Sequence, residues 1–383
     1  MRVMISCGEP SGDLYAGALA AEILRADPSA EIVGFGGDRL EAAGARLVQN
    51  FSGLSVTGLL EVVRLLPRTY ATYRRLLADA EARRPDVFVA IDFPDFNFIL
   101  ARALKRRGIP IVYYISPQLW AWRSGRMATM KRIVDRVLVI FPFEEQIYRD
   151  AGVAVEWVGH PLFDVAPEPA PREAFLRRLG LDPSRPVVAL LPGSRANELR
   201  AILPDLAASA RLIRDHVPGT QFIVSRAPHL ATALFEPIRR AMPEDAGVVV
   251  IDGQADDVLA AADAAVLASG TVTVQAALHE CPMVVVYRLS PLTYRIGKPF
   301  VRVDTYAMPN LVAGRRVVQE LIQDAFTPAA VATETVRLLT DRAYAARIRR
   351  DLRDVRQRLG ERGASRRAAE AVLRVARPSN SVR

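Results

Sequence analysis

Short apolar runs alternate with helix-forming segments along nearly the whole chain, and this alternation restricts the fold more than any other feature. In the first half the runs cover residues 2–6, 31–35, 87–91, 111–115, 137–141 and 155–158. In the second half they cover 187–191, 221–224, 248–251, 264–268 and 283–287. Each is apolar on both faces, as a strand must be when helices cover both sides of a parallel sheet. Helical segments at 14–25, 68–83, 98–107 and 198–216 fill the gaps. The pattern predicts an α/β protein with two Rossmann-like domains, each a parallel sheet built from βαβ units. Pro167, Pro169 and Pro171 disfavour helix and sheet alike, which puts the linker at 165–171. The expected division is a first Rossmann-like domain at 1–165, a second at 166–342, and a helical tail at 343–383. That tail is long enough to pack across domains or to exchange between subunits of a homodimer.

Ligands of open parallel sheets bind beyond the carboxyl ends of the strands, so the turns there carry the chemistry. The segment Ala268-Ser269-Gly270-Thr271 turns the apolar run 264–268 into a helix over 272–279. Small residues at such a turn let backbone N–H groups and the helix dipole face an anion. A second turn of this kind, Pro192-Gly193-Ser194-Arg195, adds a guanidinium. Two anion-holding turns in one half of the chain indicate a bound nucleotide diphosphate, and with it sugar-nucleotide chemistry. Asn310, in a polar turn behind Pro309, is a further candidate on that side.

The first half offers different groups. Gly8-Glu9-Pro10-Ser11-Gly12-Asp13 follows the first strand. Asp13 suits a helix cap, but Glu9 and Asp13 are two carboxylates where a cap requires one, which favours a polar floor for an acceptor. Asp92 is the first polar residue past the run 87–91. A partly desolvated carboxylate at that strand end has a raised pKa, fit to take a proton from a sugar hydroxyl; a structural turn is the alternative. Asp95 reads as the cap of the next helix, and Asn97 as a cleft residue. Trp120, Trp122 and Arg123 can stack on a sugar or acyl chain, or fill a wall. His160, just before the linker, can reach a donor phosphate or shape the hinge.

Composition narrows the setting. The formal charge is 51 − 42 = +9, carried by arginine apart from Lys105, Lys131 and Lys298. It suits phosphates or an anionic membrane surface; no basic run interleaved with aromatics points to nucleic acid. Cys7 and Cys281 stand far apart and form no disulfide framework or zinc pattern, which fits a reducing cytoplasm. The start does not read as a signal peptide, and no apolar run reaches the roughly 18 residues of a membrane span. Membrane contact is therefore expected to be peripheral. Its candidate is the segment 57–66, where Leu60 and Leu65 lie beside Arg64 on the face away from the core stripe, with Arg68 following. A helix buried on all sides is the alternative.

The motifs GEPSGD (8–13), LSVTGLLEV (54–62), IDFPDFN (91–97), ISPQLWAWR (115–123), PFE (142–144), VGHPL (158–162), LPGSR with Glu198, LASGT (267–271), CPMVVVYR (281–288) and PNLVAGR (309–315) stand in one order. Together the chain resembles the lipid-A-disaccharide synthases, GT-B glycosyltransferases with two Rossmann-like domains facing an interdomain cleft. The resemblance implies transfer from UDP-2,3-diacylglucosamine to 2,3-diacylglucosamine 1-phosphate, giving the β-1,6 disaccharide 1-phosphate and UDP with inversion. It implies Asp92 as base, no cofactor and no metal, and a peripheral position on the cytoplasmic face of the inner membrane. Donor contacts fall on Gly193, Ser194, Arg195, Ser269, Gly270, Thr271, Gln275 and Asn310. Acceptor or cleft contacts fall on Glu9, Ser11, Gly12, Asp13, Asn97, Trp120, Trp122, Arg123 and His160. Members of the family usually carry Glu where this chain has Gln275, and that carboxylate commonly accepts from ribose hydroxyls; an amide carbonyl accepts more weakly. Other enzymes of this fold that use UDP-GlcNAc, a lipid II-type glucosaminyl transferase or a 2-epimerase, share the two anion turns. A non-catalytic sugar-nucleotide or lipid-binding module is the alternative of a different class.

Overall fold

The computed structural model describes residues 1–51, 59–119, 124–240, 247–289 and 305–377, with the backbone alone at 59–66 and 124. The chain forms two compact units. One comprises residues 1–165 with the chain from Leu359 onward; the other is 166–358.

Among the described residues, the first unit is built on a parallel sheet of β1 (Arg2–Ser6), β2 (Glu31–Gly36), β3 (Arg46–Asn50), β4 (Val87–Ile91), β5 (Ile111–Tyr114), β6 (Arg136–Val139) and β7 (Val155–Trp157). Their spatial order is β3-β2-β1-β4-β5-β6-β7. The second unit has β8 (Val187–Leu191), β9 (Gln221–Arg226), β10 (Val248–Asp252), β11 (Ala264–Ala268), β12 (Met283–Tyr287) and β13 (Gln319–Ile322), in the order β10-β9-β8-β11-β12-β13. Both are doubly wound. In each, the winding reverses between the first and fourth strands, where ligands of this architecture bind.

The central strands are wholly buried because they read as unbroken apolar runs: Val3, Met4 and Ile5 in β1, Phe88 and Val89 in β4, Val188 and Leu190 in β8, and Val266 and Leu267 in β11 are all 0% exposed. Each such side chain contributes about 1.5–3 kcal/mol on leaving water. Two strands escape the sequence reading, β3 and β13, and both lie at sheet edges. Edge strands are half-covered, so Arg46-Leu-Val-Gln-Asn50 and Gln319-Glu-Leu-Ile322 mix polar and apolar residues and give no run.

The helices start earlier than their periodicity indicates. Pro10 and Pro94 are the first helical residues of Pro10–Ala26 and Pro94–Arg106. Proline suits that position because its fixed φ is helical and its missing N–H has no partner there. The tail divides: Arg342–Arg358 belongs to the second unit, where Arg353 meets Glu280 at 2.7 Å. The helix Ala364–Ala376 belongs to the first, packing on Pro10–Ala26. The Asp164 carboxylate caps its start, accepting from the N–H groups of Gly363 and Ser365 at 2.6 and 2.7 Å.

Candidate active site

At the reversal point of the first sheet, β1 leads through Gly8-Glu9 to Pro10 and β4 through Asp92-Phe93 to Pro94. The two turns are fitted to one another. A methyl group added at Gly8 would lie 2.5 Å from the Phe93 ring, so any larger residue here would have to displace that ring. Asp92 and Phe93 both take left-handed backbone, φ +44° and +45°, and so does Ile115 at the end of β5, φ +57°. Each costs about 1–2 kcal/mol for a side-chain-bearing residue. Three such residues at the carboxyl end of one sheet mark a place where local comfort has yielded to geometry.

Hydrogen bonds hold that geometry. Asn97, fully buried, donates its amide to the carbonyl oxygens of Asp92, Ser6 and Ile91 at 2.8, 3.2 and 3.3 Å. Its Oδ1 accepts from the Ser6 hydroxyl at 2.7 Å. Tyr113 donates its hydroxyl to the Asp92 carbonyl at 2.8 Å. Burial, then the charge of Asp92, holds that phenol well above its usual range, so it remains a donor. The Asp92 side chain itself is half-buried.

Several expected site residues have other work. Asp13 is buried, and its carboxylate accepts from the N–H groups of Gly37, Arg39 and Leu40 at 2.7, 2.9 and 3.2 Å. It caps the helix Asp38–Ala42, not the helix it sits in, and is no part of a polar floor. Asn97 is a buried brace, not a surface contact. Asp95 is no cap: Phe93 holds that position, and Asp95 pairs with Arg126 at 2.6 Å. His160 is 2% exposed, and burial alone lowers its pKa to about 3. Its Nδ1 accepts from the N–H of Leu162 at 3.2 Å, between the rings of Tyr15 and Phe141. A neutral, enclosed imidazole offers no charge to a phosphate. Glu9 caps Pro10–Ala26 by position and is half-buried, as is Ser11, while Gly12 is buried. Trp120, Trp122, Arg123 and the side chains of Leu60, Arg64 and Leu65 lie outside the described residues; Arg68 is exposed on the helix Leu59–Ala82.

In the second unit the reversal point joins β8 to β11, with Leu191 beside Leu267. The two anion turns are therefore neighbours: a methyl group at Gly193 would lie 3.6 Å from the Ala268 side chain. They are not equivalent. Pro192–Arg195 leads into the helix Ala196–His216, whose first turn carries Glu198. The Glu198 carboxylate pairs with Arg195 at 3.2 Å and stands 3.0 Å from where a Gly193 side chain would begin. An anion at that helix end meets a resident carboxylate. The helix Thr271–Leu278 has no acidic residue in its first turn. Its start is exposed at Gly270 and Thr271, and Gly270 takes φ +154° with ψ −162°, backbone open only to glycine. The Thr271 end is accordingly the better anion site.

Asn310, by contrast, is 1% exposed and internally committed. It accepts from the N–H groups of Val317 and Val318 at 2.7 and 2.9 Å and donates to Glu320 at 2.6 Å, so it holds a loop rather than a ligand. Residues the sequence reading missed surround the turns. The His229 Nε2 lies 2.9 Å from the Ser194 carbonyl, and Asp256 lies against Gln275 and His279. Both arise from pairings across strands or helices, without a motif to announce them.

A cavity of about 420 Å³ lined by Arg102, Lys105, Arg106, Arg132 and Ile133 lies elsewhere, at the end of the first sheet where strands begin. Basic side chains there complement the carboxyl-terminal dipoles of the helices Pro94–Arg106 and Met127–Ile133.

Two successive doubly wound parallel sheets, each with its own reversal point, are the architecture of the GT-B class. Solved structures of similar fold include UDP-GlcNAc 2-epimerase from Neisseria meningitidis bound to UDP-GlcNAc (TM-score 0.69, 13% identity, covering 98% of this chain and 100% of that one). The calicheamicin glycosyltransferase is another (TM-score 0.63, 19% identity, 99% of each chain). Fold alone does not separate transferase from epimerase; sequence does. The chain matches the lipid-A-disaccharide synthetase family over residues 3–375 and belongs to it. It is 43% identical to the lipid-A-disaccharide synthase of Koribacter versatilis (98% of this chain, 99% of that one). It is 45% identical to that of Geobacter metallireducens (97% and 96%). The protein is a glycosyltransferase that forms the lipid A disaccharide, using a sugar nucleotide and a lipid acceptor.

Proposed function

We propose that the donor is UDP-2,3-diacylglucosamine and the acceptor 2,3-diacylglucosamine 1-phosphate, joined β-1,6 with inversion at the anomeric carbon. Asp92 takes the proton from the acceptor 6-hydroxyl. That oxygen bonds to the anomeric carbon as the bond from this carbon to the UDP β-phosphate oxygen breaks, its electron pair leaving with UDP. Inversion needs one base on the acceptor side. The leaving diphosphate needs no proton, only donors and positive dipoles aimed at its growing charge.

The exposed Thr271 helix end, with the turn that carries Arg195 following the neighbouring strand, supports that role. Preorganised donors of this kind are each worth about 3–4 kcal/mol, and in this reading they serve without metal or cofactor. The observation that carries the assignment is the clamp on Asp92: a strained backbone, held by the buried Asn97 and by Tyr113, at the reversal point of the sheet.

The enzyme acts at the cytoplasmic surface of the inner membrane as a peripheral protein, reaching it through Leu60 and Leu65 with Arg64 and Arg68. Among the described residues no helix is long and apolar enough to cross a membrane. Homodimerisation belongs to the same reading, through the tail helices. The deciding experiment is mass spectrometry of products from UDP-2,3-diacylglucosamine and 2,3-diacylglucosamine 1-phosphate, with UDP-GlcNAc as control donor. A disaccharide 1-phosphate from the acylated donor is expected; its absence, with the acceptor recovered intact, rejects the assignment.

A further inference from the structure

The helix that offers its start to the diphosphate carries Gln275 one turn further on and ends just before His279. It packs on the helix Ala255–Ala261, whose first turn holds Asp256, 7% exposed. The Asp256 carboxylate is shared. Its Oδ1 lies 2.8 Å from His279 Nε2, and its Oδ2 lies 3.4 Å from Gln275 Nε2. A carboxylate oxygen only accepts, so the ring nitrogen facing it carries the proton and the amide group facing it is the NH2. The side-chain amide of Gln275 is thereby given a direction. Its nitrogen is drawn to Asp256, and its carbonyl oxygen is the atom left to a ligand; the residue is half-buried, so a ligand can reach it.

We infer that Asp256 and His279 are positioning residues for the nucleotide. They hold Gln275 as an acceptor, with Oε1 presented to a ribose hydroxyl of the sugar nucleotide. The inference rests on the reading of the Gly270–Thr271 turn as the diphosphate site. Thr271 and Gln275 are four residues apart, hence on one helix face and about one 5.4 Å turn apart. In a nucleoside diphosphate the ribose hydroxyls are the donors that neighbour the phosphates, so an acceptor one turn from the phosphate end selects for them. The arrangement also accounts for an amide at position 275. A second carboxylate beside Asp256 would face like charge at hydrogen-bond range, and one of the two would have to take up a proton.

Calorimetry with UDP, 2′-deoxy-UDP and 3′-deoxy-UDP tests this. The wild-type protein should prefer UDP to at least one deoxy nucleotide by about three- to tenfold, the worth of one hydrogen bond. Asp256→Asn, whose own amide can face Gln275 either way, should lower UDP affinity by about that factor. It should leave affinity for that deoxy nucleotide unchanged, so the preference collapses. His279→Gln should act in the same direction. Gln275→Met, similar in length without an acceptor, should reproduce the collapse if Asp256→Asn does not fold. Adding Gln275→Glu to Asp256→Asn should restore the preference, because the like-charge clash is gone.

A merely structural Asp256 would lower thermal stability and weaken all three nucleotides alike, which overturns the inference. An undiminished preference in either Asp256→Asn or Gln275→Met overturns it too. If the wild-type protein does not bind UDP at all, the donor reading itself fails and the inference goes with it; if UDP binds but the preference never changes, only the inference fails.

Discussion

The Asn97 amide donates to the Asp92 carbonyl at 2.8 Å while its carbonyl oxygen accepts from the Ser6 hydroxyl at 2.7 Å. One buried side chain thus ties the ends of β1 and β4 together and holds Asp92 in a backbone conformation it would not adopt alone. The groups that carry chemistry and the groups that aim them are different residues, and mutations should separate the two.

Asp92→Ala should reduce turnover by about 10²–10⁴-fold, the usual worth of a general base. UDP affinity should stay within a few-fold of wild type, because the nucleotide contacts are assigned to the other unit. Single-turnover product formation and calorimetry give the two readouts. Substantial residual turnover would remove Asp92 as the base.

Asn97→Ala leaves the Ser6 hydroxyl and three carbonyl oxygens short of a partner in a buried place. A loss of about 3 kcal/mol is expected, at about 1–3 kcal/mol per unsatisfied group with partial relaxation. The urea midpoint should fall without a change of slope, and turnover should fall with it. An unchanged midpoint would mean that the bonds to Asn97 contribute nothing net.

Gly270→Ala separates backbone from side-chain effects. A methyl group there meets no atom within 4 Å, so any effect comes from its φ of +154°. About 1–3 kcal/mol of strain is expected, together with weaker UDP binding as the turn relaxes. Arg195→Ala should also weaken UDP, but without loss of stability, since its pairing with Glu198 is half-exposed. Equal UDP affinity in both variants would place the diphosphate elsewhere.

His160 gives a pH signature. Its pKa lies near 3 in the folded chain, against an ordinary value of 6.5, because burial disfavours the charged ring. The unfolded chain therefore takes up the proton first as pH falls, and stability drops from about pH 6.5 down to pH 3. Between pH 7 and 5.5 the wild-type protein should lose about 1 kcal/mol more than His160→Gln, from a limiting slope of about 1.4 kcal/mol per pH unit. Parallel urea-unfolding profiles across that range would show that His160 protonates in the fold.

Replacing Leu60 and Leu65 with Ser should reduce co-sedimentation with anionic liposomes while circular dichroism stays unchanged. Pelleting equal to wild type would return that segment to the protein interior.

Much of this was legible in the sequence. Central strands are buried on both faces, so they must be apolar throughout, and β1, β4, β8, β11 and β12 were readable residue by residue. Glycine at 193 and 270 announced turns because only glycine takes their backbone freely. Edge strands β3 and β13 were not legible, since half-exposure allows mixed composition. Nor was the work of Asp13, His160, Asn97 and Asn310. A carboxylate or amide looks the same in a sequence whether it faces a ligand or a backbone N–H from another element.

The order of residues alone determined the α/β class, the doubled βαβ build, the linker prolines and the turns that carry Asp92 and Thr271, because these follow from local periodicity and backbone chemistry. Tertiary structure decided which turns are neighbours, which helix end has its arginine paired with its own Glu198, and which polar residues are spent on the fold. Those outcomes depend on partners distant in the sequence, as Asn97 is from Ser6 and Gln275 from Asp256, and hydrogen bonding is satisfied in space rather than along the chain.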